Sequence, residues 1–265
     1  MTLLHVSGLS IYPVKSCSGI NITTSTVEAF GLQGDRRWMV VDENGVMLTQ
    51  RKFSSMCLVK VETSNNGIAF MHSKMQTLNV EVPSSGNQVL AKVWSDQCLS
   101  LDAGDEAANW LSEILDTRCR LVYFPDDSFR QVDLDFAEQG DKTAFSDGFP
   151  LLLISQASLD ELNSRLVKPV SMNRFRPNLV VEGCEPFAED SWKKIKIGNI
   201  VYRIVKPCSR CVIPSINLET AEREKEPTQT LLTYRKKNNK IFFGQNVIAD
   251  GQGEISVGMG VEVIT

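Results

Sequence analysis

The chain has 265 residues, of which 42% are apolar and 23% charged, a balance typical of a globular protein that can bury a sizeable core. Its formal net charge of −4 argues against a general nucleic-acid-binding protein, because such proteins need a basic surface. No apolar run approaches ~18 residues, and the N-terminal segment lacks the pattern of a secretory signal, so we expect a cytoplasmic protein that does not bind membranes.

The first hundred residues predict a series of short strands. RRWMVVDENGVMLTQR consists of two apolar-rich runs about Asn44-Gly45, a strong hairpin signal. CLVKVETSNNGIAFMHS repeats this arrangement about Asn65-Asn66-Gly67. LNVEVP and NQVLAKVWSDQCLSLDA predict further strands. We therefore expect a β-rich N-terminal domain over residues 1–100.

Residues 101–265 predict a larger β domain that also contains helices. GDEAANWLSEIL places an apolar stripe through Trp110 and Ile114 on one helical face. SQASLDELNSRL contains a capping-box pattern from Ser158 to Glu161. Strands are expected in RPNLVVEG, IKIGNIVYRIVKP, KIFFGQNVIA and EISVGMGVEVI. The predicted fold class is therefore mainly β with a few helices, built from barrels or sandwiches.

Histidine and cysteine usage limits the possible chemistry. The only histidines are His5 and His72, and neither lies near a plausible nucleophile in sequence, so a histidine-dependent triad is not expected. The seven cysteines are an odd number and widely scattered, which favours free thiols over a disulfide framework.

Two cysteines nevertheless stand three positions apart in VKPCSRCVIPSIN, at Cys208 and Cys211. A structural zinc site would need a second pair or nearby histidines. A thioredoxin-type motif would open a helix, and Pro214 is a poor neighbour for a helix start. Two buried core thiols, or a thiolate that binds a soft metal, are the alternatives left open. A single thiolate would need a cofactor to supply the other metal ligands, and that cofactor would need its own anchoring charge.

Three segments carry side chains suited to binding an anion such as phosphate. Each one alone is equally typical of solvated surface charge, but together they indicate a phosphate-bearing metal cofactor. They are YPVKSCSGI with Lys15, Ser16 and the flexible backbone of Gly19, GDRRW with Arg36 and Arg37, and RFRPNL with Arg174, Arg176 and Asn178.

These motifs resemble a known family. PVKSCSG, GLQGDRRWMVVDENG, NRFRPNLVVEG, EDSWKKIKIGN, KPCSRC, TLLTYR and FGQNVIA occur in this order in MOSC-domain proteins that carry an N-terminal MOSC β-barrel domain. The motifs resemble those of the bacterial YcbX-like members and of the mitochondrial amidoxime-reducing component. The resemblance extends from about Leu4 to Ile264.

The resemblance implies a molybdenum cofactor (molybdopterin) between two packed β-rich domains, an N-terminal MOSC β-barrel domain at 1–100 and a MOSC domain at 101–265. By position, Cys211 is then the metal ligand and Cys208 a supporting thiol. Family positions that hold the pterin and its phosphate correspond to Lys15, Ser16, Arg36, Arg176 and Asn178, with Ser209 and Arg210 on the cysteine loop. Pocket-lining segments correspond to Gln245 and to Ser146, Asp147 and Gly148.

The resemblance also implies the reduction of N-hydroxylated compounds, such as hydroxylamino-purines, amidoximes and hydroxylamines, to amines. Asp147 is the candidate catalytic proton donor, because no histidine is available. The unpatterned segment 125–145 is expected to form a pocket wall or lid, with Arg130 meeting the substrate.

Partner and cofactor expectations follow from the same resemblance. The chain has no ferredoxin-type cysteine run, so we expect no iron–sulfur cluster in it and a separate electron donor, either a flavoprotein or a ferredoxin. Pyridoxal phosphate is not expected. Two other functions stay open: a sulfur carrier or sulfurtransferase with a persulfide on Cys211, and a non-catalytic carrier of the molybdenum cofactor.

Overall fold

The computed structural model describes residues 3–84 and 86–264, and this part of the chain is mainly β, as predicted. It contains nineteen strands and three α-helices. In chain order the strands are β1 (His5–Ile11), β2 (Ile20–Ile22), β3 (Thr24–Glu28), β4 (Gly31–Leu32), β5 (Trp38–Val41), β6 (Lys60–Ser64), β7 (Gly67–His72), β8 (Met75–Glu81), β9 (Gln88–Val93), β10 (Asp96–Asp102), β11 (Arg120–Tyr123), β12 (Leu151–Ser155), β13 (Leu179–Glu182), β14 (Lys194–Ile197), β15 (Ile200–Arg210), β16 (Lys236–Lys237), β17 (Lys240–Ala249), β18 (Gly253–Ser256) and β19 (Val261–Val263). The helices are α1 (Asp105–Leu115), α2 (Gln156–Ser164) and α3 (Thr228–Tyr234).

The largest sheet has nine strands in the order β19-β14-β15-β17-β12-β13-β1-β2, with β16 paired to β17. Its core includes Leu9, Leu153, Leu179 and Tyr202, all at most 1% exposed. Smaller sheets have the orders β5-β11-β10-β9, β18-β3-β4 and β6-β7-β8. The first strand of the chain thus pairs inside a sheet built mostly from the C-terminal half.

The two predicted hairpins have different outcomes. The turn at Asn65-Asn66 joins β6 and β7 with Ser64 opposite Gly67, so this hairpin is confirmed. After Asn44-Gly45 a turn does form, because the Asp42 carboxylate accepts the N–H groups of Asn44 and Val46. The run beyond it makes two isolated bridges, Val41 with Met47 and Val46 with Lys92, so it is shared between β5 and β9.

Both predicted helices are present. The apolar stripe of α1 faces the core, where Trp110 stacks on Phe70 with ring centroids 5.5 Å apart. The predicted cap of α2 is displaced: the N-cap is Ser155, whose hydroxyl accepts the Ser158 N–H, and not Ser158 itself. The short α3 was not predicted, since its seven residues are too few for an apolar period.

Register brings three loops together at one end of the largest sheet. Leu9 of β1 lies opposite Leu179 of β13, and Leu179 in turn lies beside Leu153 of β12. Consequently the loop after β1 and the loops before β12 and β13 converge, and they carry the motifs PVKS, SDG and FRPN. In the described residues no helix is long and apolar enough to cross a bilayer.

Strand β10 passes through residue 100 and pairs with both β9 and β11. One sheet therefore contains residues from either side of that position. The division into domains at residue 100 stays a prediction.

Candidate functional site

A cationic cleft lies where these loops meet the C-terminal end of β15, and it encloses about 140 Å³. Five basic side chains line it against the single carboxylate of Asp147, counted over residues 3–84 and 86–264. The basic residues are Lys15, Arg36, Arg51, Arg176 and Arg210. Such an excess of positive charge favours an anionic ligand.

Lys15 is buried and makes two contacts at the base of the cleft. Its ammonium group donates to the carbonyl oxygen of Phe145 at 2.7 Å and to the Asp147 carboxylate at 2.5 Å. Burial lowers the pKa of Lys15, and the Asp147 charge opposes this shift. The pKa of Asp147 lies below its usual range, because the charges of Lys15 and Arg51 outweigh the desolvation of the carboxyl group. Asp147 is therefore a carboxylate at neutral pH, and its charge compensates for the burial of the Lys15 amino group.

Two arginines of the cleft contact the buried ring of Tyr12. The guanidinium carbons of Arg36 and Arg176 lie 4.5 Å and 4.1 Å from the Tyr12 ring centroid. The Tyr12 hydroxyl donates to the carbonyl oxygen of Pro177 at 3.2 Å. Burial, the largest influence, lowers the pKa of Arg176 to about 10. The cation–π contacts stabilise two like charges close together.

Gly19 contacts the same ring. A Cβ atom at Gly19 would lie 2.4 Å from Cε1 of Tyr12. The sequence suggested backbone flexibility as the reason for this glycine. The structure instead shows close packing, because only a residue without a side chain fits against the buried phenol ring.

Asn178 connects Arg36 to the sheet. Its Oδ1 atom accepts from Arg36 at 2.9 Å and from the Leu152 N–H at 3.2 Å, while its Nδ2 group donates to the Ser10 carbonyl oxygen at 3.1 Å. Arg36 also donates to the Asp35 carboxylate at 2.6 Å. Asn178 is thus a positioning residue that fixes the Arg36 guanidinium.

Three residues of the cleft have left-handed backbone conformations that a non-glycine side chain rarely adopts. The φ angles are 70° at Ser16, 48° at Arg36 and 58° at Arg176. Each such conformation costs on the order of 1 kcal/mol, and such strain is concentrated at functional sites. With these conformations, the PVKS, DRRW and FRPN motifs each place a side chain in the cleft.

The cysteine pair lies at the end of β15, where Cys208 and Cys211 both line the cleft as partly exposed, free thiols. Arg210 donates to the Cys208 sulfur at 3.0 Å and to the Phe175 carbonyl oxygen. Its Nε–H group is buried and has no partner in the described part of the chain. A partly exposed free thiol, Cys211, is therefore available to a ligand in the cleft.

The structure brings together most of the sequence-predicted residues but not all. Lys15, Ser16, Arg36, Asp147, Arg176, Asn178, Ser209, Arg210 and Cys211 line the cleft. Gln245 does not: it is buried and donates to Asp190, and its strand neighbour Asn246 faces the cleft instead. Arg37 and Arg174 lie outside the cleft, where they pair with Asp126 and Glu224.

Arg51 was missed by the sequence analysis, since LTQRK has no recognisable anion-binding pattern. Arg130 is buried and donates to the carbonyl oxygens of Ala144, Ser146 and Asp147, so it holds the cleft loop in place. Its contact with a substrate stays a prediction.

The chemistry of this cleft fits a phosphate-bearing metal cofactor. Arginine and lysine donors suit a phosphate, and a thiolate suits a soft metal. No cluster of three or more histidine, cysteine or carboxylate side chains exists in residues 3–84 and 86–264 that could hold a metal ion. Most ligands of a metal bound at Cys211 would therefore belong to the cofactor.

Two family descriptions match the chain. The MOSC N-terminal beta barrel domain matches residues 3–118, and the MOSC domain matches residues 140–262. The cleft is formed by residues of both matched segments, for example Lys15 from the first and Arg176 from the second.

Relatives are similar over nearly the whole chain. Mitochondrial amidoxime-reducing component 1 of Mus musculus is 33% identical, over 96% of this chain and 80% of its own length. The Xenopus laevis protein of the same name is 34% identical, over 98% and 82%. Mitochondrial amidoxime reducing component 2 of Rattus norvegicus is 36% identical, over 87% and 72%.

Proposed function

The chain belongs to the family of MOSC-domain proteins with an N-terminal MOSC β-barrel domain, and from this premise we propose that it is a molybdenum-cofactor-dependent reductase of N-hydroxylated compounds. The reaction combines an N-hydroxylated compound with two electrons and two protons, and it gives one water and the product without the hydroxyl group, an amine from a hydroxylamine or an amidine from an amidoxime. The names of the relatives, which are amidoxime-reducing components, support this substrate class.

The observation that carries the proposal is the position of the Cys211 thiol in a cleft lined by five basic side chains. A sulfur carrier needs an accessible thiol but no phosphate-binding wall. A structural pair of thiols needs neither. An anionic pterin that carries a metal requires both a soft metal ligand, here the Cys211 thiolate, and groups that bind an anion.

In this proposal each residue of the cleft has a role in binding. Lys15, Arg176, Arg210 and the hydroxyl groups of Ser16 and Ser209 hold the phosphate and pterin. Arg36, which Asn178 orients, also binds the phosphate and pterin. Cys211 is the metal ligand. When bound, the molybdenum cofactor supplies the two-electron chemistry that takes up the hydroxyl oxygen. The electrons come from a separate flavoprotein or ferredoxin.

Asp147 has a different role from that of a resident acid. Its carboxyl group has a lowered pKa beside Lys15, so it carries no proton to donate at neutral pH. We propose that it is a positioning residue that neutralises Lys15 and holds Arg51 until an anion enters the cleft. The earlier assignment as proton donor is not favoured by this ion pair.

The test is metal and pterin analysis of the full chain from a host that makes the cofactor. We expect near-stoichiometric molybdenum and pterin in the wild type and reduction of benzamidoxime with a reduced viologen. Cys211→Ala should lose the metal or the activity. Cys208→Ala is the matched control, because it removes a thiol of the same cleft and should retain bound metal.

A wild-type protein with neither molybdenum nor pterin from that host would overturn the proposal. Mass spectrometry for a persulfide on Cys211 would then test the sulfur-carrier function. Equal loss of metal in both cysteine variants would contradict the assignment of Cys211 as the ligand.

A further inference from the structure

A second cavity, the outer groove, adjoins the cationic cleft and measures about 600 Å³. It shares Arg51, Asp147, Phe149 and Cys208 with the cleft, so the two spaces are continuous. The groove also includes the tip of the hairpin between β9 and β10, with Trp94. A molecule entering the cleft through the groove would pass this tryptophan.

Trp94 lies in a hairpin turn whose backbone conformation does not favour tryptophan. Val93 pairs with Asp96, so Trp94 and Ser95 form a two-residue hairpin loop. The φ angle of Trp94 is 56°, a conformation for which glycine is the preferred residue in such loops. Its side chain is large and apolar, yet the residue is 47% exposed. Neither the turn nor the core explains a tryptophan here.

Arg51 holds the indole in place. Its guanidinium carbon lies 4.3 Å from the Trp94 ring centroid, and its Nη2 atom lies 3.6 Å from the Asp147 carboxylate. The guanidinium therefore joins the exposed ring to the carboxylate that pairs with Lys15. One face of the indole is covered by this cation, while nearly half of the residue's surface stays accessible.

A second aromatic side chain, Phe149, also lines the groove. The ammonium group of Lys206 lies 5.6 Å from the Phe149 ring centroid and 3.8 Å from that of Phe136. Lys206 lines the groove as well, and Cys208 follows it by two residues on β15. A planar ring bound in the groove would thus lie in a space lined by Trp94 and Phe149, next to the strand that carries Cys208.

We propose that Trp94 and Arg51 form a stacking subsite that binds the aromatic ring of a conjugated N-hydroxylated substrate and directs its N–OH group past Cys208 into the cationic cleft, towards Cys211. This inference rests on the proposed function and names the substrate class that the same site prefers. Trp94 is a specificity residue: it selects ring-bearing amidoximes and hydroxylamines over aliphatic ones. Stacking on an aromatic face supplies the preference.

The experiment compares benzamidoxime with acetamidoxime, which has the same reacting group and no ring. The full chain is used as wild type, Trp94→Gly and Trp94→Phe. Trp94→Gly removes the indole and suits the φ angle of the turn, so it should fold. Isothermal titration calorimetry without reductant gives Kd, and steady-state kinetics with a reduced viologen give KM and kcat.

For benzamidoxime we expect Kd and KM to rise about tenfold in Trp94→Gly, and about twofold in Trp94→Phe, which keeps a ring. Acetamidoxime should be unaffected within about twofold, because it makes no stacking contact. Equal effects on both ligands, or no effect on either, would overturn the subsite.

The calorimetric measurement separates this inference from the proposed function. A wild type that binds benzamidoxime but reduces no N-hydroxylated compound would overturn the reductase proposal and leave the stacking subsite supported. A wild type that reduces both ligands with equal KM would overturn the subsite and leave the reductase proposal intact.

Discussion

The ammonium nitrogen of Lys15 lies 2.5 Å from Oδ1 of Asp147, although the lysine is buried and the carboxylate is more than half exposed. The pair crosses 132 positions of sequence and joins the loop after β1 to the loop before β12. A buried ammonium group needs a compensating charge. Asp147 supplies it, and an incoming phosphate could replace it.

The first prediction concerns the pH dependence of this pair. Asp147→Asn should lower the free energy of unfolding at pH 7 by about 1–2 kcal/mol, because Lys15 loses its charge partner. The pKa of the Asp147 carboxyl group is lowered in the folded state, so its stabilisation is fully present above the unfolded value of about 4 and is lost as pH falls through the folded value. Urea unfolding from pH 7 to pH 3 checks this.

Asp133→Asn is a matched control on the outer groove, since it removes a carboxylate and not the Lys15 pair. It should have an effect within about 0.5 kcal/mol. A loss in Asp147→Asn that stays constant down to pH 3 would contradict the ion-pair explanation. If the charge is the cause, the stability difference between the wild type and Asp147→Asn must begin to shrink below about pH 4 and shrink further as pH falls towards the folded value.

The second prediction tests the start of α2. Ser155→Ala should destabilise the protein by about 1 kcal/mol, because the Ser155 hydroxyl accepts the Ser158 N–H at 3.1 Å. Glu161→Gln should cost less than about 0.5 kcal/mol, since the Glu161 side chain pairs only with Arg165 on the surface. Thermal unfolding of both variants decides whether Ser155 or the Ser158–Glu161 capping box stabilises the start of α2. A larger destabilisation by Glu161→Gln than by Ser155→Ala would support the capping box that the sequence predicts.

The fold class could be predicted from the sequence because its signals are local. Alternating apolar runs with Asn-Gly or Asn-Asn turns predict strands, and a 3.6-residue apolar period predicts α1. The α2 cap was placed three residues too late because Ser155 and Ser158 are both serines in a plausible pattern. The end of β12 at Ser155 decides the choice, and a local pattern does not contain that information.

Much of the cleft was predicted through family motifs, whereas its geometry was not. Gln245 and Asn246 both belong to FGQN, and only the pairing register of β17 decides which of them faces the cleft. Arg51 and Arg130 reach the cleft region through tertiary contacts with Asp147, far away in sequence. Left-handed backbone at Arg36 and Arg176 has no signal in residue type.

A third prediction concerns Gly19. Gly19→Ala should destabilise the protein by about 1–3 kcal/mol, because the new methyl group would lie 2.4 Å from Cε1 of Tyr12. The ring cannot easily move, since it lies between Arg36 and Arg176. Gly260→Ala is the control: a Cβ there meets no atom within 4 Å. Urea unfolding of the two variants checks this, and equal stabilities would show that the Tyr12 ring gives way.

The last prediction concerns Asn178, which is 1% exposed and forms hydrogen bonds through both Oδ1 and Nδ2. Asn178→Ala leaves the Leu152 N–H and the Ser10 carbonyl oxygen buried without these partners, so it should lower the free energy of unfolding by about 2–4 kcal/mol. Asn246→Ala breaks one bond, to the Lys206 carbonyl oxygen, and should cost at most about 1 kcal/mol. Chemical denaturation measures the free energy of unfolding of both variants, and an unchanged m-value shows that the difference is one of stability.

Cofactor content distinguishes the positioning role of Asn178 from a purely structural one. Asn178 fixes the Arg36 guanidinium, so Asn178→Ala should also retain less molybdenum and pterin than Asn246→Ala under conditions where both variants are folded. Arg36→Gln, which removes the oriented cation and leaves Asn178 bonded to Leu152 and Ser10, should show the same loss of cofactor with a smaller loss of stability. Cofactor retained in Asn178→Ala but lost in Arg36→Gln would mean that the Asp35 carboxylate at 2.6 Å and the Arg176 carbonyl oxygen at 3.1 Å suffice to orient Arg36.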